Sequence, residues 1–247
     1  MRNIWTIARR EYKQYFASPV AYLISFMLLL VLGILFYLNL QVAQVQQGFT
    51  PGVNIILAPL ATLLMLATPA ITTRLLAEEQ RMGTIELLLT APVRDWELVV
   101  GKWLGAFLFL LTLIVITLIF PLVLNQLESP GIDQGPLITG YLGMVLLAGA
   151  LAALGVWISS LFNNQIAAFA TTMGVFILVW WILSAISQTG GQTGGAAQVV
   201  GYLDFSQHYF NSLIQGVMDL KDIIFYLSAI ALSLFLGTVT VETRRWR

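Results

Sequence analysis

The chain has 247 residues, of which 58% are hydrophobic and only 10% are charged, whereas a soluble globular protein has about 45–50% apolar and about 25% charged residues. This composition excludes a soluble domain and predicts an all-α integral membrane protein. The formal net charge is zero and no basic tract occurs, which argues against nucleic-acid binding, and the lack of cysteine excludes disulfides, thiolate metal sites and cysteine nucleophiles.

Residues 1–18 have the pattern of a basic amphipathic helix. Apolar side chains share one face of a helical wheel and basic side chains the other, which is typical of a helix in the membrane interface. Two interpretations stay open, a topology anchor and a docking element for a cytoplasmic partner. The apolar face consists of Ile4, Trp5, Ile7, Ala8, Tyr12, Tyr15 and Phe16, and the basic face of Arg2, Arg9, Arg10 and Lys13.

Six apolar segments are long enough to cross a bilayer, which takes about 20 mostly apolar residues in a helix. They cover residues 19–40, 54–75, 98–124, 137–161, 165–187 and 223–241. The first is too long for the apolar region of a signal peptide and has no small-residue cleavage site, so we expect it to remain as a span. The fourth is rich in glycine and alanine, which predicts close helix packing inside the bundle. Residues 1–247 are interpreted as one transmembrane domain.

Charges crowd into residues 76–97, between the second and third spans. Met82, Ile85, Leu88 and Leu89 recur there at helical spacing, which predicts a helix with one apolar face. Gly83 interrupts this helix at a cost of about 1 kcal/mol relative to alanine, which indicates close packing or a bend. The segment holds more acidic residues than a topology signal needs, so it favours a docking element over a solvated loop.

Residues 188–222, before the sixth span, are first glycine-rich and then aromatic and amphipathic. They predict a flexible stretch followed by short helices at, or dipping into, the outer leaflet. Asp204, Ser206 and His208 have the composition of a catalytic triad, but their close spacing hardly lets the base bridge the other two. We therefore expect Asp204 or Ser206 to cap a short helix, and we expect no catalytic residue in the chain.

The basic residues set the expected orientation in the membrane. Eleven of the twelve lysines and arginines fall on one side of a topology with six spans, and only Lys221 falls on the other. We therefore expect a multi-pass protein of the cell (inner) membrane with both termini and residues 76–97 in the cytoplasm. Lys102 and Arg74 lie near span ends, where snorkelling would place their charges in water.

The chain lacks the residues with which a transporter would couple to an energy source by itself. No ionisable residue lies near the middle of a span, which disfavours a secondary carrier. No P-loop occurs, because Gly101 and Lys102 are followed by Trp103 rather than by serine or threonine. If ATP drives this protein, ATP and Mg²⁺ bind to another chain, and we expect no cofactor or metal in this one.

The charged segment resembles the signature of type-2 ABC exporter permeases, the ABC-2 class. The similarity lies in the run from Glu78 to Glu86 and the following LLLTAPVRDWELVVGK. It extends to the amphipathic N-terminal helix, the six spans, LFNNQIAAF opening the fifth span and HYFNSLIQGVMDLKDIIFY before the sixth. The last two segments are most similar to the gliding-motility-type branch of these permeases.

The resemblance implies a half-transporter that pairs with a second permease chain, as a homodimer or heterodimer, and with separate ABC ATPase subunits. Residues 76–97 would hold the coupling helix, residues 188–222 the re-entrant helices, and the first and fifth spans would face each other across a central pathway. An auxiliary membrane subunit is frequent in this branch. The residues that match the coupling motif are Glu78, Glu79, Arg81, Gly83, Thr84 and Glu86.

The sequence therefore favours the permease subunit of an exporter for a lipid-like, amphiphilic or polymeric substrate. A membrane anchor that docks an ATPase without transporting anything, or a secondary carrier, remains as an alternative. Small polar residues in the first and fifth spans could line a pathway or simply bond to backbone within their helices. These residues are Ser25, Asn39, Thr171, Thr172, Ser184 and Ser187.

Overall fold

The computed structural model of the protein describes residues 2–45, 51–83, 93–128, 131–189 and 201–245. Within these ranges the chain is helical and has no strand. They contain six helical segments that are long and apolar enough to cross a membrane. The prediction of an all-α membrane protein is therefore confirmed.

The helices follow one another up and down the bundle. In chain order they are α1 (Arg2–Ala17), α2 (Pro19–Val45), α3 (Asn54–Thr72), α4 (Arg74–Arg81), α5 (Asp95–Thr117), α6 (Ile119–Leu127), α7 (Gln134–Leu161), α8 (Gln165–Ile177), a π-helical turn (Leu178–Ile182), α9 (Leu183–Thr189), α10 (Phe205–Phe210), a 3₁₀ turn (Leu213–Gln215) and α11 (Leu220–Arg245). The spans are α2, α3 with α4, α5 with α6, α7, α8 through α9, and α11. We call the end that holds α1, α4 and the start of α5 the basic end, and the opposite end the far end.

The fourth span, α7, is the centre of the bundle. In its most apolar stretch 72% of the residues are buried, compared with 22% in α2. Its glycines let neighbours approach closely: a Cβ added at Gly155 would lie 2.1 Å from Thr72 Oγ1, and one at Gly143 would lie 2.8 Å from Leu213 Cδ1. The prediction that this small-residue span is an internal packing surface is confirmed.

Helix α1 packs lengthwise on the first half of α5. A Cβ added at Gly101 would lie 2.8 Å from Ile7 Cβ, and one at Gly105 would lie 2.6 Å from Glu11 Cβ. Ala8, Glu11 and Tyr15 form the buried centre of α1, whereas Trp5 is 57% exposed and Phe16 is 40% exposed. Only part of the predicted apolar face is therefore buried. The groove beside Gly101 and Gly105 of α5 receives the side of α1 that contains the acidic residue Glu11.

The second span does not stop where its apolar run ends. It continues past Thr73 into α4, which ends at Arg81. The start of the predicted coupling segment therefore belongs to the same helical segment as the second span. The third span begins at Asp95. Residues 84–92, which contain the predicted site residues Thr84 and Glu86, lie outside the described residues, and so do residues 190–200 of the predicted outer loop.

Candidate functional site

Helix α4 has one buried face and one exposed face. Leu75, Leu76 and Ala77 are buried, whereas Glu78 and Arg81 are exposed. The helix ends in a left-handed turn at Gly83, whose φ is 70°, with the Gly83 N–H donating to the Gln80 carbonyl at 3.3 Å. Glycine is favoured at such a helix end because a Cβ would strain a positive φ.

A serine of the central helix joins α4 to the second span. Ser159 Oγ accepts hydrogen bonds from the backbone N–H groups of Leu76, at 3.2 Å, and Ala77, at 3.1 Å. The same hydroxyl donates to the carbonyl of Thr73 at 2.8 Å. A side chain inserted in this way replaces backbone bonds at a helix break and satisfies the groups that the break frees. The junction between α3 and α4 is thereby bonded to α7.

Four charged side chains from three helices meet on the other side of α4. Lys102 Nζ of α5 lies 2.7 Å from Glu79 Oε1 and 3.0 Å from Glu11 Oε1. Arg10 Nη2 of α1 lies 3.1 Å from Glu11 Oε1 and 3.4 Å from Glu79 Oε1. We call these residues, Arg10, Glu11, Glu79 and Lys102, the ion cluster. It contains two cations and two carboxylates, so its formal charges balance.

The ion cluster is largely removed from solvent. The Lys102 side chain is 1% exposed and that of Glu11 is 5% exposed, while Arg10 reaches the surface. Removing charges from water is expensive, and mutual attraction offsets that cost only where the partners are close and well oriented. The cluster therefore holds α1, α4 and α5 in one relative arrangement, because a displacement of any of them would leave a buried charge without its partner.

A second polar contact joins α1 to the start of α5. Asn3 Nδ2 donates to Glu97 Oε2 at 3.1 Å, and the same oxygen accepts from the backbone N–H of Arg94 at 3.1 Å. The Glu97 side chain thus closes the first turn of α5 in the manner of a capping box. The beginning of the third span, just after the undescribed residues 84–92, is therefore fixed against the N-terminal helix.

The structure separates the predicted coupling residues into two groups. Glu79 lies in the ion cluster and contacts its own chain, whereas Glu78 and Arg81 are exposed on α4. Gly83 forms the bend that the sequence suggested, and a Cβ at this position would meet no atom of the described residues within 4 Å. Contacts among the described residues thus show a bend at Gly83 and no close packing there.

Three of the six candidate pathway residues bond to the backbone of their own helix. Ser25 Oγ donates to Ala21 O at 2.7 Å, Asn39 Nδ2 to Leu35 O at 2.8 Å, and Thr172 Oγ1 to Ala168 O at 2.7 Å. Thr171 and Ser184 are half-buried. The side chain of Ser187 is not among those that the structure describes. Both α2 and α8 pack against α3, and their placement around a pathway stays a prediction.

At the far end, α10 and the 3₁₀ turn pack onto α7. Tyr209 is fully buried and donates its hydroxyl to the carbonyl of Gly140 at 3.2 Å. Burial raises the pKa of Tyr209 well above its usual value, with further contributions from Tyr226 and Tyr141, so this hydroxyl stays a donor. Thr139 Oγ1 donates to Leu213 O at 2.8 Å.

The predicted cap in this segment is confirmed. Asp204 Oδ1 accepts from the backbone N–H of Ser206 at 2.8 Å and from its hydroxyl at 2.7 Å. His208 bonds elsewhere: Nδ1 lies 2.6 Å from Asp222 Oδ1 and Nε2 lies 2.9 Å from Tyr202 O. These contacts place the histidine in a structural pair rather than in a triad with Ser206.

Sequence reasoning missed three side chains at the basic end, Glu11, Lys102 and Ser159. The expectation that Lys102 snorkels into water is wrong, because Lys102 is buried against two carboxylates. One signal was available: the neighbours of Lys102 are apolar or small on both sides, so at this helical position the charge needed a partner within the bundle. For Ser159 we find no such signal in the sequence.

Comparisons with known proteins agree with this architecture. Residues 5–242 match the family model described as ABC-2 family transporter protein. A search of curated proteins gave no match. The family model does not distinguish the gliding-motility-type branch from the others. Because the match covers nearly the whole chain, from within α1 to the last turn of α11, the protein belongs to the ABC-2 family of membrane transport subunits.

Proposed function

We propose that this protein is the permease subunit of an ATP-driven exporter and that α4 passes movement of a partner ATPase to the spans. The observation that carries this proposal is the double character of α4. One side is fixed to α1, α5 and α7 through the ion cluster and Ser159, and on the other Glu78 and Arg81 are exposed.

The connections of α4 make it suitable as a lever. Because α4 continues the second span beyond Thr73, a force on its free end acts on α3. Through Lys102 the same force acts on α5, and through Ser159 it acts on the central helix α7. A partner that moved α4 would thereby move three spans as packed rigid elements.

ATP and Mg²⁺ would bind to the partner, since the chain has no P-loop. A second copy of this chain, or a related permease, would complete the pathway between α2 and the span from α8 to α9. An auxiliary membrane subunit could join this assembly. The orientation that accounts for the charges places the basic end in the cytoplasm, where an ATPase can reach α4.

The spans favour a lipid-like, amphiphilic or polymeric substrate over a small ion. Among the described residues, the charged side chains within the spans lie near the helix ends, and several of them are occupied in the ion cluster and in the His208–Asp222 pair. A pathway built from α2 and α8 would therefore present mainly apolar and hydroxyl groups, which suit long, weakly charged molecules.

The experiment is affinity purification of the tagged protein from its native membrane in mild detergent, followed by mass spectrometry of the proteins that remain bound. The proposal expects a P-loop ATPase in equal amount, and ATP hydrolysis by the complex that rises when substrate lipid or polymer is added. Recovery of the permease alone, also after reconstitution in lipid nanodiscs, would contradict it. An ATPase that binds without transport in sealed vesicles would identify a membrane anchor.

A further inference from the structure

A pocket of about 130 Å³ lies where α1, α2 and α5 meet. Phe16 of α1 closes one side, Tyr22 and Ser25 of α2 a second, and Phe109 and Ile116 of α5 a third. Its volume is close to that of an engineered apolar cavity of about 150 Å³ that accepts benzene. The pocket is therefore large enough for a short length of hydrocarbon chain.

The wall of the pocket is apolar although hydroxyl groups occur in it. Ser25 Oγ donates to Ala21 O at 2.7 Å, Thr112 Oγ1 pairs with the Tyr12 hydroxyl at 2.9 Å, and Tyr15 donates to Ile71 O at 3.0 Å. Because these hydroxyls are engaged with the protein, a polar ligand would lose its hydrogen bonds to water without replacement. The chemistry of the wall selects a hydrocarbon.

The pocket opens sideways, toward the surroundings of the bundle. Phe16, Tyr22 and Ile116 at its rim are 40%, 57% and 47% exposed. On a membrane protein, an apolar opening on the outside of the spans faces lipid. The occupant is therefore a molecule of the bilayer rather than one that arrives from water.

The length of the third span fixes the level of the pocket. The continuous segment Asp95–Leu127 has 33 residues, which is about 50 Å of helix at 1.5 Å per residue and exceeds the ~30 Å hydrocarbon core. Part of it must protrude, and the packing of α1 along its first half places the protrusion at the basic end. Phe109 lies about 21 Å from Asp95 along the helix, so the pocket lies just inside the core.

Two basic side chains stand on the headgroup side of this level. Arg9, Lys13 and Phe16 are spaced four and three residues apart and so share one stripe of α1. Arg9 and Lys13 are both exposed, and neither forms a salt bridge with another described residue. Exposed basic residues next to a membrane attract anionic lipids.

We propose that this pocket binds one acyl chain of an anionic phospholipid, whose phosphate lies on Lys13 and Arg9. The lipid belongs to the leaflet at the basic end and stays with the protein. It would fill the junction of α1 with α2 and α5, about one turn of α1 away from Glu11 of the ion cluster. In this position it would stabilise the packing of α1 and α5 through which α4 acts. The proposal depends on the fold alone and not on the partner ATPase.

The test uses the purified full-length protein and a phosphatidylglycerol that carries a photoactivatable diazirine in its acyl chain. After illumination, mass spectrometry locates the labelled peptides. Labelling is expected in residues 15–25 and 109–116. Unlabelled dioleoylphosphatidylglycerol should compete at about 30-fold lower concentration than dioleoylphosphatidylcholine, because each of the two basic residues should raise the affinity for the anionic lipid about fivefold. Equal competition by the two lipids, or labelling spread evenly over the exposed faces of α2, would overturn the proposal.

Two variants separate the headgroup from the chain. The double substitution Arg9→Gln and Lys13→Gln should abolish the preference for phosphatidylglycerol, whereas Arg81→Gln, at the same end of the bundle, should keep it. Ser25→Phe should fill the pocket and remove labelling of residues 109–116, while Leu38→Phe on the exposed face of α2 should not. If Ser25→Phe fails to fold, the exposed charge variants decide, and unchanged preference in the double variant refutes the headgroup site.

Discussion

Lys102 Nζ lies 2.7 Å from Glu79 Oε1, so that a buried lysine of the third span contacts a carboxylate near the end of the second. Glu11 of the N-terminal helix approaches the same ammonium at 3.0 Å. A buried lysine between two carboxylates from different helices is a strong geometric constraint, since none of the three can move away without leaving charge in a poorly solvated place.

Substitution of this lysine should destabilise the bundle. Lys102→Met leaves the two carboxylates with only the half-exposed Arg10 as a cation, and loss of one partner from a buried ion pair costs about 3–5 kcal/mol. The free energy of unfolding, measured in mixed micelles, should fall accordingly. Adding Glu79→Gln to Lys102→Met should recover part of the loss. Lys221→Met, which removes a largely exposed lysine, is the control and should have no measurable effect.

The exposed face of α4 should affect coupling without affecting the fold. Glu78→Lys reverses a charge on the surface that we assign to the ATPase, so it should lower substrate-stimulated ATP hydrolysis and co-purification of the ATPase while the unfolding transition is unchanged. Glu242→Lys makes the same charge change on an exposed residue of α11 at the same end and should behave as wild type. Identical coupling in both variants would contradict the assignment of α4.

Much of the architecture could be predicted from the sequence because hydrophobicity is a local property. Each span has its own run of apolar residues, and the glycines and alanines of α7 mark it as the packed centre. The Asp204 cap was predictable for the same reason, since the donor and the acceptor are only two residues apart.

The ion cluster could not be predicted, because it depends on tertiary contacts between residues that are distant in sequence. Glu11 and Lys102 are 91 residues apart, and nothing near either of them specifies the other. On the helical wheel Glu11 lies within the apolar face of α1, between Ile4 and Ile7, and the groove at Gly101 and Gly105 of α5 receives this part of the face. Likewise, the role of Glu79 in a contact with the ATPase stays a prediction, because the structure shows its contacts within the chain.

The close contact of α3 and α7 should tolerate no side chain at Gly155. A Cβ there would lie 2.1 Å from Thr72 Oγ1 and 2.8 Å from Thr72 Cβ, and overpacking of this kind costs about 1–3 kcal/mol. Gly155→Ala should therefore lower the unfolding free energy, and Thr72→Ala in the same chain should restore part of it. Gly174→Ala is the matched control, since a Cβ at that position would meet no atom of the described residues within 4 Å.

Single-cysteine labelling can test the orientation, since the native chain has no cysteine. A cysteine in place of Arg81, exposed at the basic end, should be protected from a membrane-impermeant maleimide in intact cells and react after permeabilisation. A cysteine in place of Lys221, at the far end, should react in intact cells. The opposite pattern would place α4 outside the cell and exclude its contact with a cytoplasmic ATPase.

The His208–Asp222 pair should hold α10 in place against α11 at the far end. His208 of α10 lies against Phe225 of α11, with ring centroids 4.0 Å apart, and Asp222 is 1% exposed and also bonded to the Ser212 hydroxyl. His208→Leu keeps a side chain of similar volume but leaves the Asp222 carboxylate without its main partner. Backbone amides of residues 205–215 should then exchange hydrogen faster, because α10 loses one of its attachments to α11 and keeps the hydrogen bond from Tyr226 to the Phe205 carbonyl.

A double-mutant cycle with Asp222→Asn would measure this attachment directly. Residues in direct contact usually show coupling energies of about 0.5–3 kcal/mol, and a value in that range would show that the pair acts across the junction of α10 and α11. Asn211→Ala, on an exposed side chain next to α10, should leave the exchange rates unchanged. If His208→Leu and Asn211→Ala had the same small effect, α10 and the 3₁₀ turn would be held mainly by Tyr209 and by the Thr139–Leu213 contact with α7. These elements would then move relative to the central helix α7 rather than relative to α11.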